Sequence, residues 1–271
     1  MNLASEEGAT RRSASSLAFE DRGEGPAVVL VHGHPFDRSM WAPQQEPLGR
    51  SFRVIAPDLR GYGQSPATSG TVTMRQLASD VEALLDDLGV ESAAVVGLSM
   101  GGLVAMELAI ASPDRWWALG LVATTAEPVT EAERRERLAM AEALEREGMQ
   151  PLADAMGERL FGPGCAQDVV DGIVKMMRAN NPQGAAAALR GRAERPDYRL
   201  GLAALEIPAF VCAGTHDAWS TEAVTQALID CLNAPTSLLL PKIGHLPNLE
   251  SPDVFNRELL RFLQAAAPAR A

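Results

Sequence analysis

Val95-Val96-Gly97-Leu98-Ser99-Met100-Gly101-Gly102 is an apolar, β-branched run that stops at a glycine-flanked serine, then continues with helical character through Leu103, Val104, Met106, Leu108 and Ala109. A strand that turns sharply into a helix at a serine holds the hydroxyl clear of its own backbone, as a nucleophile elbow does. Gly97 and Gly101 leave room where side chains would collide as strand and helix close around the serine. The first free N–H groups of the helix, that of Met100 among them, face the space above Ser99 where an oxyanion would develop. The alternative is a glycine-rich turn that happens to contain a serine, in a chain with 23 glycines. The flanking patterns favour the elbow, with Ser99 as candidate nucleophile and Met100 N–H as candidate oxyanion donor.

Working outward toward the N-terminus, Ser15 to Glu20 reads as a strand that turns at Asp21 to Gly25. Ala27 to Val31 reads as a second, almost wholly apolar strand, as expected where both faces are covered. That strand leads into His32-Gly33-His34-Pro35-Phe36-Asp37, a loop able to turn a backbone N–H toward the elbow. His34 N is the second candidate oxyanion donor, against the reading of an ordinary strand-to-helix connection. Phe52 to Ala56 is the next strand, and Asp58 and Arg60 after it are expected to fix a loop beside the site. Met74 to Leu88, with Leu77, Val81, Leu84, Leu85 and Leu88 on one face, predicts an amphipathic helix ended by Gly89.

Beyond the elbow, its helix should end near Ser112-Pro113, and Trp117 to Ala123 should be another buried strand. Alternation of strand and helix implies a mostly parallel sheet with helices on both faces, which binds ligands at the carboxyl ends of its strands. From Glu127 to Tyr198 charged residues, alanines and methionines dominate, with helical spacing in Glu131 to Glu147, Pro151 to Leu160, Ala166 to Arg178 and Gln183 to Arg192. This is expected to be a helical insertion over the sheet's carboxyl edge, with Met140, Met149, Met156, Met176 and Met177 chiefly packing helix against helix, the alternative being that they line an apolar substrate pocket. Strand, helix and strand then resume over Ile207 to Ala213, Thr221 to Leu232 and Ser237 to Leu240. A last helix runs from about Pro252 to Ala265.

Only four histidines are present, so a general base can be sought by elimination. His32 and His34 sit in the oxyanion-type loop, and His216 adjoins Asp217, where neighbours on an extended chain point apart. His245, after Gly244 on the loop beyond the last strand, can swing over the sheet's edge toward Ser99. Asp217, at the end of the preceding strand, is the candidate acid, with Glu127 in reserve.

The segments HGHPFDRSMW, DLRGYGQS, GLSMGG, GTHD and GHLPNLESP together resemble the α/β-hydrolase superfamily over almost the whole chain. The order Ser99, Asp217, His245 matches its catalytic triads. The resemblance implies an α/β-hydrolase fold: a flexible arm at residues 1–12, a core at 13–126 and 199–271, and a helical cap at 127–198. Cap length and the ALRGRAERPD segment look most similar to the group of 3-oxoadipate enol-lactonases, small esterases and cofactor-free haloperoxidases or perhydrolases. Two departures stand out: His34 occupies a position that is often apolar, and the acid turn Asp217-Ala218-Trp219-Ser220 lacks the usual proline.

The expectation is a serine hydrolase of a small carboxylic ester or lactone, with Phe36, Trp41, Trp219 and Leu246 as pocket walls and no cofactor or metal. Arg38 and Arg190 are the candidate cations for a carboxylate-bearing substrate. Perhydrolase or haloperoxidase-type activity, a non-hydrolytic enzyme and a small-molecule receptor stay open as alternatives on the same fold. A net charge of −11 argues against nucleic acid and anionic membrane as partners. No apolar stretch has the length of a signal peptide or a membrane span, which predicts a cytoplasmic protein. Cys165, Cys212 and Cys231 are odd in number and widely spaced, and are expected to be free buried thiols rather than disulfides or a zinc site.

Overall fold

A computed structural model describes residues 11–12, 17–157 and 159–268. Strands β1 (Arg11–Arg12), β2 (Ala18–Arg22), β3 (Ala27–Val31), β4 (Arg53–Pro57), β5 (Ala93–Leu98), β6 (Trp116–Val122), β7 (Ala209–Gly214) and β8 (Thr236–Leu240) form one sheet, ordered β1-β2-β4-β3-β5-β6-β7-β8. From β4 to β8 all neighbours are parallel, and β2 pairs antiparallel with β4 and β1. The chain thus has the mostly parallel sheet expected from its alternating pattern.

Every residue of β3, β5 and β7 is buried. Because side chains alternate across a strand, each strand feeds two cores. Val29, Val31 and Val95 pack on one face with helices α2 (Met74–Asp87) and α3 (Met100–Ala111). Val28, Leu30 and Val96 pack on the other with Trp41, Phe255 and Leu259, the last two on the long C-terminal helix. Helix α2 starts at a Thr73/Gln76 capping box and reaches Gly89 at φ 64°, the conformation its sequence position calls for.

One expectation differs. Asp21 and Arg22 lie inside β2 rather than in a turn, because the carboxylate of Asp21 takes two hydrogen bonds from Arg53 across the ladder, at 3.0 and 2.9 Å. Helix α1 (Ala42–Gly49) carries Pro43 in its first turn and Pro47 inside. It is held from outside, with Gln44 Nε2 donating to Asn248 O and Asn256 Oδ1 at 2.9 and 2.8 Å. Of the arm expected at residues 1–12, residues 1–10 lie outside the described residues and Arg11–Arg12 form β1.

Between β6 and β7 run α4 (Glu131–Glu147), α5 (Gln150–Gly157), α6 (Gln167–Ala179), α7 (Pro182–Arg192) and α8 (Arg199–Ala203), with no strand among the described residues. Helix α7 docks backbone to backbone: a Cβ on Gly184 would lie 2.2 Å from Gly61 O, and one on Gly191 would lie 1.8 Å from Val72 O. That contact fixes the C-terminal turn of α7, and hence Arg192, above the sheet edge. After β7 follow α9 (Glu222–Ile229), α10 (Pro247–Glu250) and α11 (Pro252–Ala266).

Candidate active site

The parallel register brings the carboxyl ends of β3, β5, β6 and β7 to one edge, with Val31 opposite Gly97, Leu98 opposite Val122 and Val122 opposite Cys212. Ser99 stands at this edge between β5 and α3, with φ 55° and ψ −113°. A non-glycine residue seldom occupies that region, so the surroundings must impose it. They do so from β6: Ser99 N donates to Val122 O at 2.8 Å, and Thr124 Oγ1 donates to Ser99 O at 2.8 Å. The elbow has no space to relax, since a Cβ on Gly97 would lie 2.0 Å from Gly101 O, and one on Gly101 would lie 2.1 Å from Val31 O. Met100 opens α3, and its N–H, like those of any first helical turn, has no acceptor within the helix.

Asp217 and His245, both buried, meet across 28 residues of sequence: His245 Nδ1 lies 2.7 Å from Asp217 Oδ2. The other carboxylate oxygen, Oδ1, accepts from Trp219 N and Ser220 N at 2.8 and 3.1 Å. Burial pushes the Asp217 carboxyl up, but the His245 charge and these hydrogen bonds outweigh it and hold the group below its ordinary value. His245 N donates to Leu160 O at 2.6 Å, and the indole of Trp219 meets the imidazole edge-on at 5.0 Å.

A cavity of about 270 Å³ opens above the edge, and Ser99, His245, His34, Trp219 and Ser220 line it together with residues of α4, α5 and α7. His34 is part of the wall, and its ring is buried: Nδ1 is 2.7 Å from Tyr62 Oη, while Nε2 has no hydrogen-bond partner. Burial, then the charges of Arg192, His32 and Arg137, hold this imidazole well below its ordinary value. His32 is occupied elsewhere, Nδ1 at 2.9 Å from Gly33 O and Nε2 accepting from Leu59 N at 2.9 Å; His216 is exposed. Glu127, the reserve acid, is also exposed and lines no part of the cavity.

Three expected wall residues are corrected. Phe36, Trp41 and Leu246 are fully buried in the core beneath the sheet edge, where Trp41 packs against Phe255, and none of them reaches the cavity. Large apolar side chains beside a site are drawn inward by the same burial that builds the core. The two expected cations are corrected as well. Arg38 is buried against Asp58, and Arg190 pairs outside the cavity with Glu145 at 2.8 and 2.7 Å.

Instead, the cations at the cavity are Arg137, Arg159, Arg192 and Arg195, none singled out by sequence, because which side of the insertion a charged residue faces is set by how its helices pack. Glu250 also went unnoticed. Its carboxylate accepts from Gly162 N, Gly244 N and Leu246 N at 2.7 to 3.2 Å and so clamps the loop that carries His245. The Gly-His-Leu-Pro-Asn-Leu-Glu spacing is a signal that could have found it.

A family model described as the alpha/beta hydrolase family matches residues 28–258. The chain belongs to the alpha/beta hydrolase family. Among its relatives in this family, "3-oxoadipate enol-lactonase 2" of Acinetobacter baylyi is 32% identical over 246 residues, covering 90% of each chain. Of solved structures, a thermophilic esterase from Thermogutta terrifontis, with malate bound, is 36% identical with a TM-score of 0.91 over 97% of this hydrolase chain and 100% of its own. The enol-lactonase from Burkholderia xenovorans LB400 is 31% identical with a TM-score of 0.87, over 94% and 100% of the two chains. Among the described residues of this family member, no cluster of three or more His, Cys, Asp or Glu is placed to hold a metal ion, and no helix is long and apolar enough to cross a membrane.

Proposed function

We propose that this chain is a serine hydrolase that cleaves a small carboxylic ester or lactone through an acyl-enzyme. The observation that carries the reading is the shared cavity: Ser99, strained at a strand-to-helix turn, lines it with His245, whose Nδ1 is tied to buried Asp217. A Nδ1–H held by a carboxylate leaves Nε2 as the free base, and its rise in charge on taking a proton is stabilised by the same carboxylate.

In this reading Ser99 Oγ adds to the acyl carbon as its proton passes to His245 Nε2. The N–H groups of Met100 and His34 receive the oxyanion. Collapse expels the alkoxide, which takes that proton, and leaves the acyl group on Ser99. Water, deprotonated by the same imidazole, then adds to the acyl carbon and frees the acid. No cofactor enters these steps. Residues 127–198 act as a cap that shelters the acyl-enzyme, and Trp219 is a wall for the substrate. The relatives named enol-lactonase and esterase favour the same bond type. A cytoplasmic setting belongs to this reading too, since Cys165, Cys212 and Cys231 are all free thiols.

The test compares wild type and Ser99→Ala on a panel of short-chain p-nitrophenyl esters and simple lactones, following burst and steady-state phases. Sustained acid release that vanishes in the variant is expected. Equal rates for the two proteins on every compound would reject ester hydrolysis.

A further inference from the structure

Arg137 reaches the cavity from α4, Arg159 from just beyond α5, Arg192 from the last turn of α7 and Arg195 from the segment after it. Two glutamates stand against these four cations, in a chain whose net charge is −11. Glu133 is shared between Arg137 at 3.1 Å and Arg195 at 4.0 Å, while its other oxygen closes the capping box of α4 at Thr130. Glu136 is exposed. Arg159 lies over the Trp219 ring at 5.1 Å.

Arg192 is left over. Its guanidinium makes no salt bridge among the described residues, and its Nε is buried with no hydrogen-bond partner. Arg137 Nη1 and His34 Nε2 are in the same condition, so three buried, unpartnered nitrogens belong to residues that line one cavity. A buried donor without an acceptor is costly. Burial, then Arg137 and Arg195 alongside, hold the Arg192 guanidinium below its ordinary value against a weaker opposing pull from Tyr62 and Glu133. An anion seated in the cavity beside these side chains would supply an acceptor that the chain itself does not.

We propose that Arg137, Arg192 and His34 form an anion subsite that takes a free carboxylate of the substrate, remote from the acyl group attacked at Ser99. Resting on the hydrolase reading above, this makes the substrate a half-ester of a dicarboxylic acid or a lactone with a pendant carboxylate. Guanidinium groups suit a planar, two-oxygen acceptor. When Tyr62 O–H donates to His34 Nδ1, His34 Nε2 carries the proton and adds a neutral donor. The cavity's modest volume, about 270 Å³, fits an acid of a few carbons.

The test measures kcat/KM for p-nitrophenyl butyrate and for mono-p-nitrophenyl glutarate in wild type, Arg192→Gln and Arg190→Gln. Arg190 shares α7 but faces Glu145 outside the cavity. Wild type should favour the glutarate ester by about tenfold or more, Arg192→Gln should lose most of that ratio, and Arg190→Gln should keep it. In parallel, calorimetry on Ser99→Ala titrates glutarate, butyrate and inorganic phosphate. Glutarate should bind about tenfold tighter than the other two, and the added Arg192→Gln change should abolish the difference.

Hydrolysis of both esters without preference overturns the subsite and leaves the hydrolase standing. Glutarate binding that depends on Arg192, in a protein that cuts neither ester, supports the subsite and rejects the hydrolase. A glutarate preference that survives Arg192→Gln, or phosphate binding tighter than glutarate, overturns the assignment.

Discussion

Asp217→Asn isolates one proton. The Trp219 and Ser220 N–H groups both point at Oδ1 of Asp217, so an asparagine must keep its carbonyl oxygen there, and its NH2 then faces His245. That NH2 can only donate, which makes Nδ1 the acceptor and moves the ring proton to Nε2, where it blocks removal of the Ser99 proton. Turning the amide over restores the productive tautomer but aims NH2 at the buried Ser220 N–H and the part-buried Trp219 N–H, at a cost of roughly 1–3 kcal/mol for each unmet donor, or about 2–6 kcal/mol together. At about 1.4 kcal/mol per tenfold, kcat should fall between roughly 30-fold and 10⁴-fold. The upper end matches the loss of about 10⁴ that a wrong tautomer causes in a serine protease triad.

The assay is steady-state hydrolysis of the best p-nitrophenyl ester, with KM nearly unchanged and thermal melting followed beside it. Because the folded carboxyl lies below its unfolded value near 3.8, its contribution to stability is complete above that pH and is lost as pH falls through the lower folded value. The variant should lack this acid limb. A kcat within about tenfold of wild type, in a variant that melts normally at neutral pH, would refute the assignment of Asp217.

Four further outcomes follow from other contacts. Gly101→Ala places a Cβ 2.1 Å from Val31 O, so chemical denaturation should show a loss of roughly 3 kcal/mol or more. Asp58→Ala removes the nearer carboxylate of the buried Arg38 guanidinium, leaving Glu20 at 3.4 Å, and takes away one acceptor each from Arg38 N and Gln64 N, both 2.8 Å from the carboxylate; the same assay should read a loss of roughly 3 kcal/mol. His32 is held below its ordinary value by burial, so stability is full above about pH 6.5 and declines as pH falls below it; melting temperature should drop from pH 7 to pH 5, less steeply in His32→Asn. Glu250→Gln leaves a single acceptor for three loop N–H groups, and kcat should fall about tenfold as the His245 loop loosens, with KM little changed.

By itself the sequence determined the order of elements, the elbow and which residue types could perform acyl chemistry. These are local matters: β-branched runs, caps and glycines act within a few residues, and each of Ser99, Asp217 and His245 follows a run with strand character. It also marked Ala27 to Val31 and Trp117 to Ala123 as buried strands, because an unbroken apolar run records burial directly. Tertiary structure decided what lies around them. Asp21 joined a strand through Arg53, and α1 formed despite two prolines because Asn248 and Asn256, more than 200 residues away, hold its Gln44. Phe36, Trp41 and Leu246 turned into the core, while Arg38 and Arg190 found carboxylates away from the cavity. Arg137 and Arg192 became its cations only because Gly184 and Gly191 let α7 sit on the core backbone beside α4. Charge and apolarity are written in single residues, but whether a side chain meets a partner or an open cavity depends on residues that folding alone brings near.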